Sequence, residues 1–217
     1  MTFHIVTIFP AIFTSYFQES IIKRARDEGK VGIKIYALRD FTNDKHKTVD
    51  DTPYGGGPGM VLKVKPIWKC VEHIRKNITK NEKTRVILTS AKGNEYTQKT
   101  AERLKGLDHI IIICGRYEGV DERIAEYIAD EEMSIGKYVL TGGEVPAMVI
   151  VDSITRLLSG VLGNEESLVH ESNVIEGIYG YPVYTRPENF QGWKVPGVLL
   201  SGNHEKIRKW RNGKSNK

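Results

Sequence analysis

The spacing of hydrophobic and polar positions changes several times along the chain, and each change marks an element. Two short runs rich in Ile, Val and Tyr, Phe3 to Phe9 and Val31 to Leu38, read as strands. Between them Pro10 suits the first turn of a helix, with Ile12, Phe13, Tyr16 and Phe17 expected on one face and Gly29 as its stop. A second helix opens at Pro66, where Ile67, Cys70, Val71 and Ile74 follow the i, i+3, i+4, i+7 spacing. That spacing assigns Cys70 to a core.

The next strand runs from Arg85 and ends at Thr89 and Ser90, followed by a short helix from Thr97 to Leu104. The unbroken isoleucines of Ile110 to Cys114 suit a strand buried on both faces. A helix from Asp121 to Ala129 leads to Ser134-Ile-Gly-Lys-Tyr-Val-Leu-Thr-Gly-Gly-Glu144, which reads as an apolar strand running into paired glycines and a carboxylate. A long helix, Val145 to Leu158, comes next. Alternating strands and helices imply an α/β fold, a parallel sheet with helices on both faces. Ligands of such sheets sit at the carboxyl ends of strands, so the ends at Ser90, at Gly115 to Gly119 and at Gly142 to Glu144 form a candidate site.

Periodicity fades from Ser159 to Tyr181 into Gly, Ser, Asn and Glu, which reads as a linker or a mobile loop. Beyond it the clearest element is a helix from Asn203 to Arg211, with Ile207 and Trp210 on one face among Lys206, Arg208, Lys209 and Arg211. From Arg186 onward there are eight Lys or Arg against two acids, Glu188 and Glu205, whereas Gly115 to Glu132 is acidic. A basic end of this kind is expected to meet a polyanion, a solvated tail being the alternative. With 217 residues, 40% of them hydrophobic, the chain supports one substantial core and a smaller unit.

Several classes of function are disfavoured. Cys70 and Cys114 form no CxxC pair, and the first residues lack the layout of a signal peptide, so a reducing, cytoplasmic setting is expected. The longest apolar run is broken by Asp152, Thr155 and Arg156, too early to span a bilayer. The six histidines show no metal-ligand spacing. Pro53-Tyr-Gly-Gly-Gly-Pro-Gly-Met60 has neither the GxGxxG spacing of a dinucleotide loop nor the GK[ST] of a P-loop, and it follows charged residues. No serine-nucleophile elbow is present. The strand ends, Glu118, Glu144, Arg156 and the loop Asn164-Glu-Glu-Ser-Leu-Val-His-Glu171 remain, each carboxylate open to a structural or a chemical role.

Four segments together carry a specific resemblance: Thr48 to Met60, Gly115-Arg-Tyr-Glu-Gly-Val-Asp-Glu-Arg123, Ser134 to Glu144, and Leu199-Leu-Ser-Gly-Asn-His204. In this order, and nearly end to end, they resemble the bacterial tRNA (guanine-N1)-methyltransferases, TrmD, of the SPOUT class. The resemblance implies a parallel sheet tied in a C-terminal trefoil knot, which holds S-adenosylmethionine bent, and a small, mainly helical C-terminal domain. Residues 1–160 would be the cofactor domain, 161–180 an interdomain linker and 181–217 the tRNA-binding domain. It further implies a homodimer whose active sites are shared between subunits, methylation of N1 of the guanine 3′ of the anticodon, and an involvement of magnesium. The other readings left open are a SPOUT methyltransferase acting on another RNA nucleotide and a non-catalytic RNA-binding relative.

Carried onto this chain, the family's cofactor contacts fall on Leu88, Thr89 and Ser90, on Gly115, Tyr117 and Glu118, and on Ile135, Gly136, Lys137, Tyr138, Val139, Leu140, Gly142 and Gly143. Tyr117 and Tyr138 also read as ordinary rim aromatics. Guanine N1–H has a pKa of about 9 against about 4.3 for a free Glu, so full deprotonation beforehand would be uphill by roughly 6 kcal/mol. Proton removal should therefore accompany methyl transfer, with a cation holding charge that develops on O6. Arg156 matches the family's arginine in that supporting role. Glu171 stands where the family has its aspartate base, a departure by one methylene, with His170 and Glu166 as alternatives. Phosphate contacts are expected from Arg186, Lys206, Arg208, Lys209 and Arg211.

Overall fold

Parallel pairing organises the first part of the chain. The computed structural model describes residues 1–163 and 180–215, and the chain divides into two compact units, residues 1–163 and 164–217. In the first unit β1 (Thr2–Thr7) and β2 (Gly32–Ala37) are followed by a small antiparallel pair, β3 (Asp50–Asp51) and β4 (Val61–Leu62). Then come β5 (Thr84–Glu95), β6 (His109–Cys114) and β7 (Glu131–Ser134). The main sheet has the order β2-β1-β6-β5-β7, every neighbouring pair parallel.

The isoleucines put β6 at the centre. Ile110 to Ile113 are each at most 1% exposed, and Ile111 and Ile113 join a core with Val6, Leu38, Ile67, Val71 and Ile74. Alternation sends Ile110 and Ile112 to the opposite face. One face is covered by α3 (Val64–Lys76) and α5 (Arg123–Tyr127); the other by α1 (Ile12–Phe17), α2 (Ser20–Asp27), α4 (Gln98–Leu104) and α6 (Glu144–Thr155). The helix predicted from Pro66 therefore packs as expected, with Cys70 fully buried. No described helix is long and apolar enough to cross a membrane.

Three expectations fail, each for a stated reason. The single helix predicted from Pro10 to Gly29 is two helices, broken where Glu19 is extended and Ser20 has φ 52°. Its buried residues are Phe13, Phe17, Ile22 and Ala25, and the five-residue step from Phe17 to Ile22 cannot stay on one face of a continuous helix. Ile12 and Tyr16 accordingly remain 38% and 43% exposed. The strand expected to end at Thr89 continues to Glu95: Thr89 and Asn94 both pair with Met133, so residues 90–93 bulge out of the ladder. Finally, the strand predicted from Ser134 to Leu140 stops at Ser134, and residues 135–143 form a loop.

The second unit, within its described residues, holds a hairpin as well as helices. β8 (Asn189–Phe190) and β9 (Trp193–Lys194) pair antiparallel across a Gln191-Gly192 turn, followed by α7 (Gly197–Leu200) and α8 (His204–Lys214). The Asn203 side chain caps α8 by accepting from Lys206 N at 3.0 Å. Trp210 packs beside Tyr184, with ring centroids 6.4 Å apart, and Arg211 lies over the Tyr181 ring at 4.6 Å.

Candidate active site

A cleft of about 460 Å³ opens at the carboxyl ends of β5, β6 and β7. The β5 bulge, the loop after β6 and the loop after β7 wall it, with Pro146 from the start of α6. The three segments picked out in the sequence thus meet in one place, although only Gly115 to Gly119 directly follows the end of a strand: Ser90 lies within β5, and Gly142 to Glu144 lead into α6. Of the fourteen residues assigned to the cofactor, thirteen line the cleft; Lys137 is exposed and is not among the lining residues.

The paired glycines line the cleft and also pack closely on the protein itself. A Cβ on Gly143 would lie 1.9 Å from Thr89 Oγ1 and 2.8 Å from Cys114 Cα, and one on Gly142 would lie 2.2 Å from Arg116 Nε. Gly143 N donates to Gly115 O at 2.8 Å. The loop after β7 is thereby drawn back across the ends of β5 and β6. Gly136 also serves packing, since a Cβ there would meet the Tyr138 ring at 2.4 Å, while Tyr138 Oη donates to Ile135 O at 3.2 Å.

Glu144 is structural in this geometry. It is 1% exposed, accepts from Thr7 Oγ1 at 2.8 Å and from Arg116 Nε at 2.9 Å, and so has both oxygens engaged. Arg116 also donates to Thr141 O at 3.1 Å and lies over the Phe9 ring at 4.7 Å. One guanidinium thus ties the end of β6 to the loop, to α6 and to the residues after β1. In the sequence Arg116 stands out only as part of a motif; an Arg between a glycine and an aromatic carries no local sign of such a partner. Burial, with Glu144 nearby, pushes the Cys114 thiol well above its ordinary range.

The remaining wall is acidic. Glu118 is held beside the glycine-rich loop, where a Cβ on Gly59 would sit 2.6 Å from Glu118 Cγ and Glu118 N donates to Met60 O at 3.1 Å. That loop packs behind Glu118 and does not itself line the cleft. Glu122 and Glu132, missed in the sequence, also line the cleft. Lys92 binds Glu122 at 2.7 Å and stands 3.9 Å from Glu132. Tyr117 adopts φ 61°, and its phenol pKa is raised by burial and by Asp50.

Arg156 caps the end of α6 in helical geometry and is partly buried. Glu171, His170 and Glu166 lie outside the described residues. In the second unit Arg186, Lys206, Arg208, Lys209 and Arg211 are all exposed; Lys209 pairs with Glu205 at 2.8 Å and Arg211 with the Tyr181 ring. Among the described residues no group of three His, Cys, Asp or Glu side chains is arranged to hold a metal ion, so no magnesium site is assigned.

A sequence profile of the tRNA (guanine-1)-methyltransferase TrmD family matches residues 1–217. The chain belongs to that family. A tRNA (guanine-N(1)-)-methyltransferase from Dictyoglomus turgidum is 58% identical over 207 residues, covering 95% of this chain and 82% of the relative. One from Geobacillus kaustophilus is 53% identical over 215 residues, covering 99% and 86%. Among solved structures, the tRNA (m1G37) methyltransferase from Aquifex aeolicus superposes with a TM-score of 0.81 at 41% identity, covering 97% of this chain and 87% of that one. The match of TrmD relatives across both units places the cleft and the basic second unit in one family setting.

Proposed function

We propose that this chain methylates N1 of the guanine 3′ of the anticodon in tRNA, with S-adenosylmethionine bound in the cleft at the strand ends. The observation that carries the reading is the whole-chain family match joined to a cleft lined by thirteen of the fourteen assigned residues. The donor set fits the cofactor. Leu88, Ile135, Leu140 and Pro146 supply apolar walls, the backbone of the loop after β7 supplies amide donors and acceptors, and Glu118, Glu122 and Glu132 suit a cationic ligand. When bound, S-adenosylmethionine supplies the electrophilic methyl group.

The chain's own residues would do the rest. Glu171 would accept the N1 proton, and Arg156 would hold the charge that develops on O6. The return of residues 135–143 across β5 and β6 supports the family's trefoil knot. Exposed Ile12, Tyr16, Val145 and Val149, from two helices that pack together, support the family's homodimer with shared active sites. Arg186, Lys206, Arg208, Lys209 and Arg211 hold tRNA phosphates.

Labelled methyl transfer to tRNA transcripts with G or A beside the anticodon tests this. Label on G alone is expected; equal labelling of both sinks guanine specificity, and none on either sinks catalysis in favour of a non-catalytic RNA binder. Glu171→Gln should lower turnover by about 10²- to 10⁴-fold with cofactor affinity kept. Turnover near wild type would exclude Glu171 as base.

A further inference from the structure

We infer that the aromatic pair on the hairpin of the second unit, Phe190 and Trp193, stacks on unpaired bases of the tRNA; the inference rests on the proposed tRNA reading. Both rings are directly paired across β8 and β9, with centroids 5.8 Å apart and planes at 61°. Even so Trp193 is 71% exposed and Phe190 53% exposed. A tryptophan this open is unusual, because its ring is ordinarily the largest apolar area a fold has to bury.

The rings are also held in advance. The turn between them, Gln191 at φ 52° and Gly192 at φ 88°, is the tight type whose twist matches a hairpin. Asn189 Oδ1 accepts from Gly192 N at 2.9 Å, and Val195 N donates to Glu188 O at 2.9 Å below the pair. Ordering that is already present in the free protein does not have to be supplied on binding.

Charge and chemistry select the occupant. Lys194 adjoins Trp193 and is exposed, in a unit whose described residues hold seven Lys or Arg against two acids. Aromatic faces interleaved with cations match a single-stranded nucleic acid, with phosphates for the cations and base faces for the rings. A guanine methylated at N1 must present its Watson–Crick edge, so it lies in an unpaired loop whose neighbours have open faces too. Stacking tolerates any base, so the pair needs no particular neighbour of the guanine.

The test measures tRNA binding by Trp193→Ala, Phe190→Ala and Trp193→Phe across a salt series, beside Lys206→Ala and Arg208→Ala. Trp193→Ala should weaken binding about tenfold or more, with the slope of log affinity against log salt unchanged, and Trp193→Phe should restore most of the loss. The two basic variants should instead flatten that slope. Cofactor affinity should be untouched in all of them. If the basic variants weaken binding while Trp193→Ala does not, stacking is overturned and the tRNA reading of the unit survives. If none weakens it, both fall. A Trp193→Ala protein that loses self-association in sedimentation yet binds tRNA normally would also overturn the inference, by placing the pair at a subunit contact.

Discussion

Removing the Glu144 carboxylate should unfasten the cofactor cleft from the inside. Glu144→Ala takes away the acceptor for Thr7 Oγ1 at 2.8 Å and for Arg116 Nε at 2.9 Å, and leaves a guanidinium whose side chain is 19% exposed beside a void. Stripping one partner from a buried pair costs about 3–5 kcal/mol. Arg116 keeps its bond to Thr141 O and its place over Phe9, contributions on the order of 1 kcal/mol each, so the lower end, about 3 kcal/mol, is expected. Glu144→Gln should cost less, about 1–2 kcal/mol, because it keeps one acceptor but turns an amide donor toward the other donor. Replacing both residues, Glu144→Met with Arg116→Met, should recover most of the loss, since neither charge is then stranded.

Cofactor binding should fall as well, because Arg116 packs against Gly142 and so holds one wall of the cleft. Urea unfolding measures the stability change, and calorimetric titration with S-adenosylmethionine measures affinity. Val71→Ala, in the core on the far side of the sheet, serves as the control of similar cost. A loss below about 1 kcal/mol in Glu144→Ala would refute the buried-pair assignment. Unchanged cofactor affinity alongside a full stability loss would refute the link to the cleft.

Other outcomes follow from the same geometry. Gly143→Ala should destabilise by about 1–3 kcal/mol through collision with backbone at Cys114 and Gly115, whereas Gly55→Ala, with open space around it, should cost only the left-handed strain of about 1 kcal/mol; thermal melts that rank them the other way would sink the packing argument. His4 is lowered to about 4 by burial, then by His109 and Lys34, while its ring bonds Tyr36 Oη at 3.1 Å and His109 at 3.0 Å. The unfolded chain binds the extra proton first, so stability should be complete above about pH 6.5 and decline toward pH 4, on the order of 2 kcal/mol after screening, with a shallower slope in His4→Asn. Cys70, pushed up to about 12, and Cys114 are buried, so iodoacetamide should label neither in the native protein and both in urea; rapid native labelling of either would contradict their burial.

Local pattern alone determined which segments become strands and helices wherever one residue type repeats with a single period. Ile110 to Ile113 are apolar without interruption, so only a strand covered on both faces accommodates them, and Ile67, Cys70, Val71 and Ile74 fit one helical stripe. The parallel sheet was legible for that reason, and so was the meeting of the three segments, though not where two of the strands end. Two helices in place of one were not, because Ile12, Phe13, Tyr16 and Phe17 form a plausible stripe together, and only packing among α1, α2 and α6 selects Phe13 and Phe17 for burial. The loop after Ser134 looks like a strand because Tyr138, Val139 and Leu140 are strand-forming residues, yet among the described residues no strand pairs with them.

The tertiary structure alone decided what Gly142, Gly143 and Glu144 do. Their motif marks a place where backbone is approached closely, but a glycine has no side chain to say what approaches it. Thr89, Cys114 and Arg116 are the partners, from segments tens of residues away, and the carboxylate that reads as chemistry is spent on Arg116 and Thr7. Sequence carries the identity of each group and its local geometry; long-range contacts, which depend on where the chain returns to itself, settle which groups remain free to react.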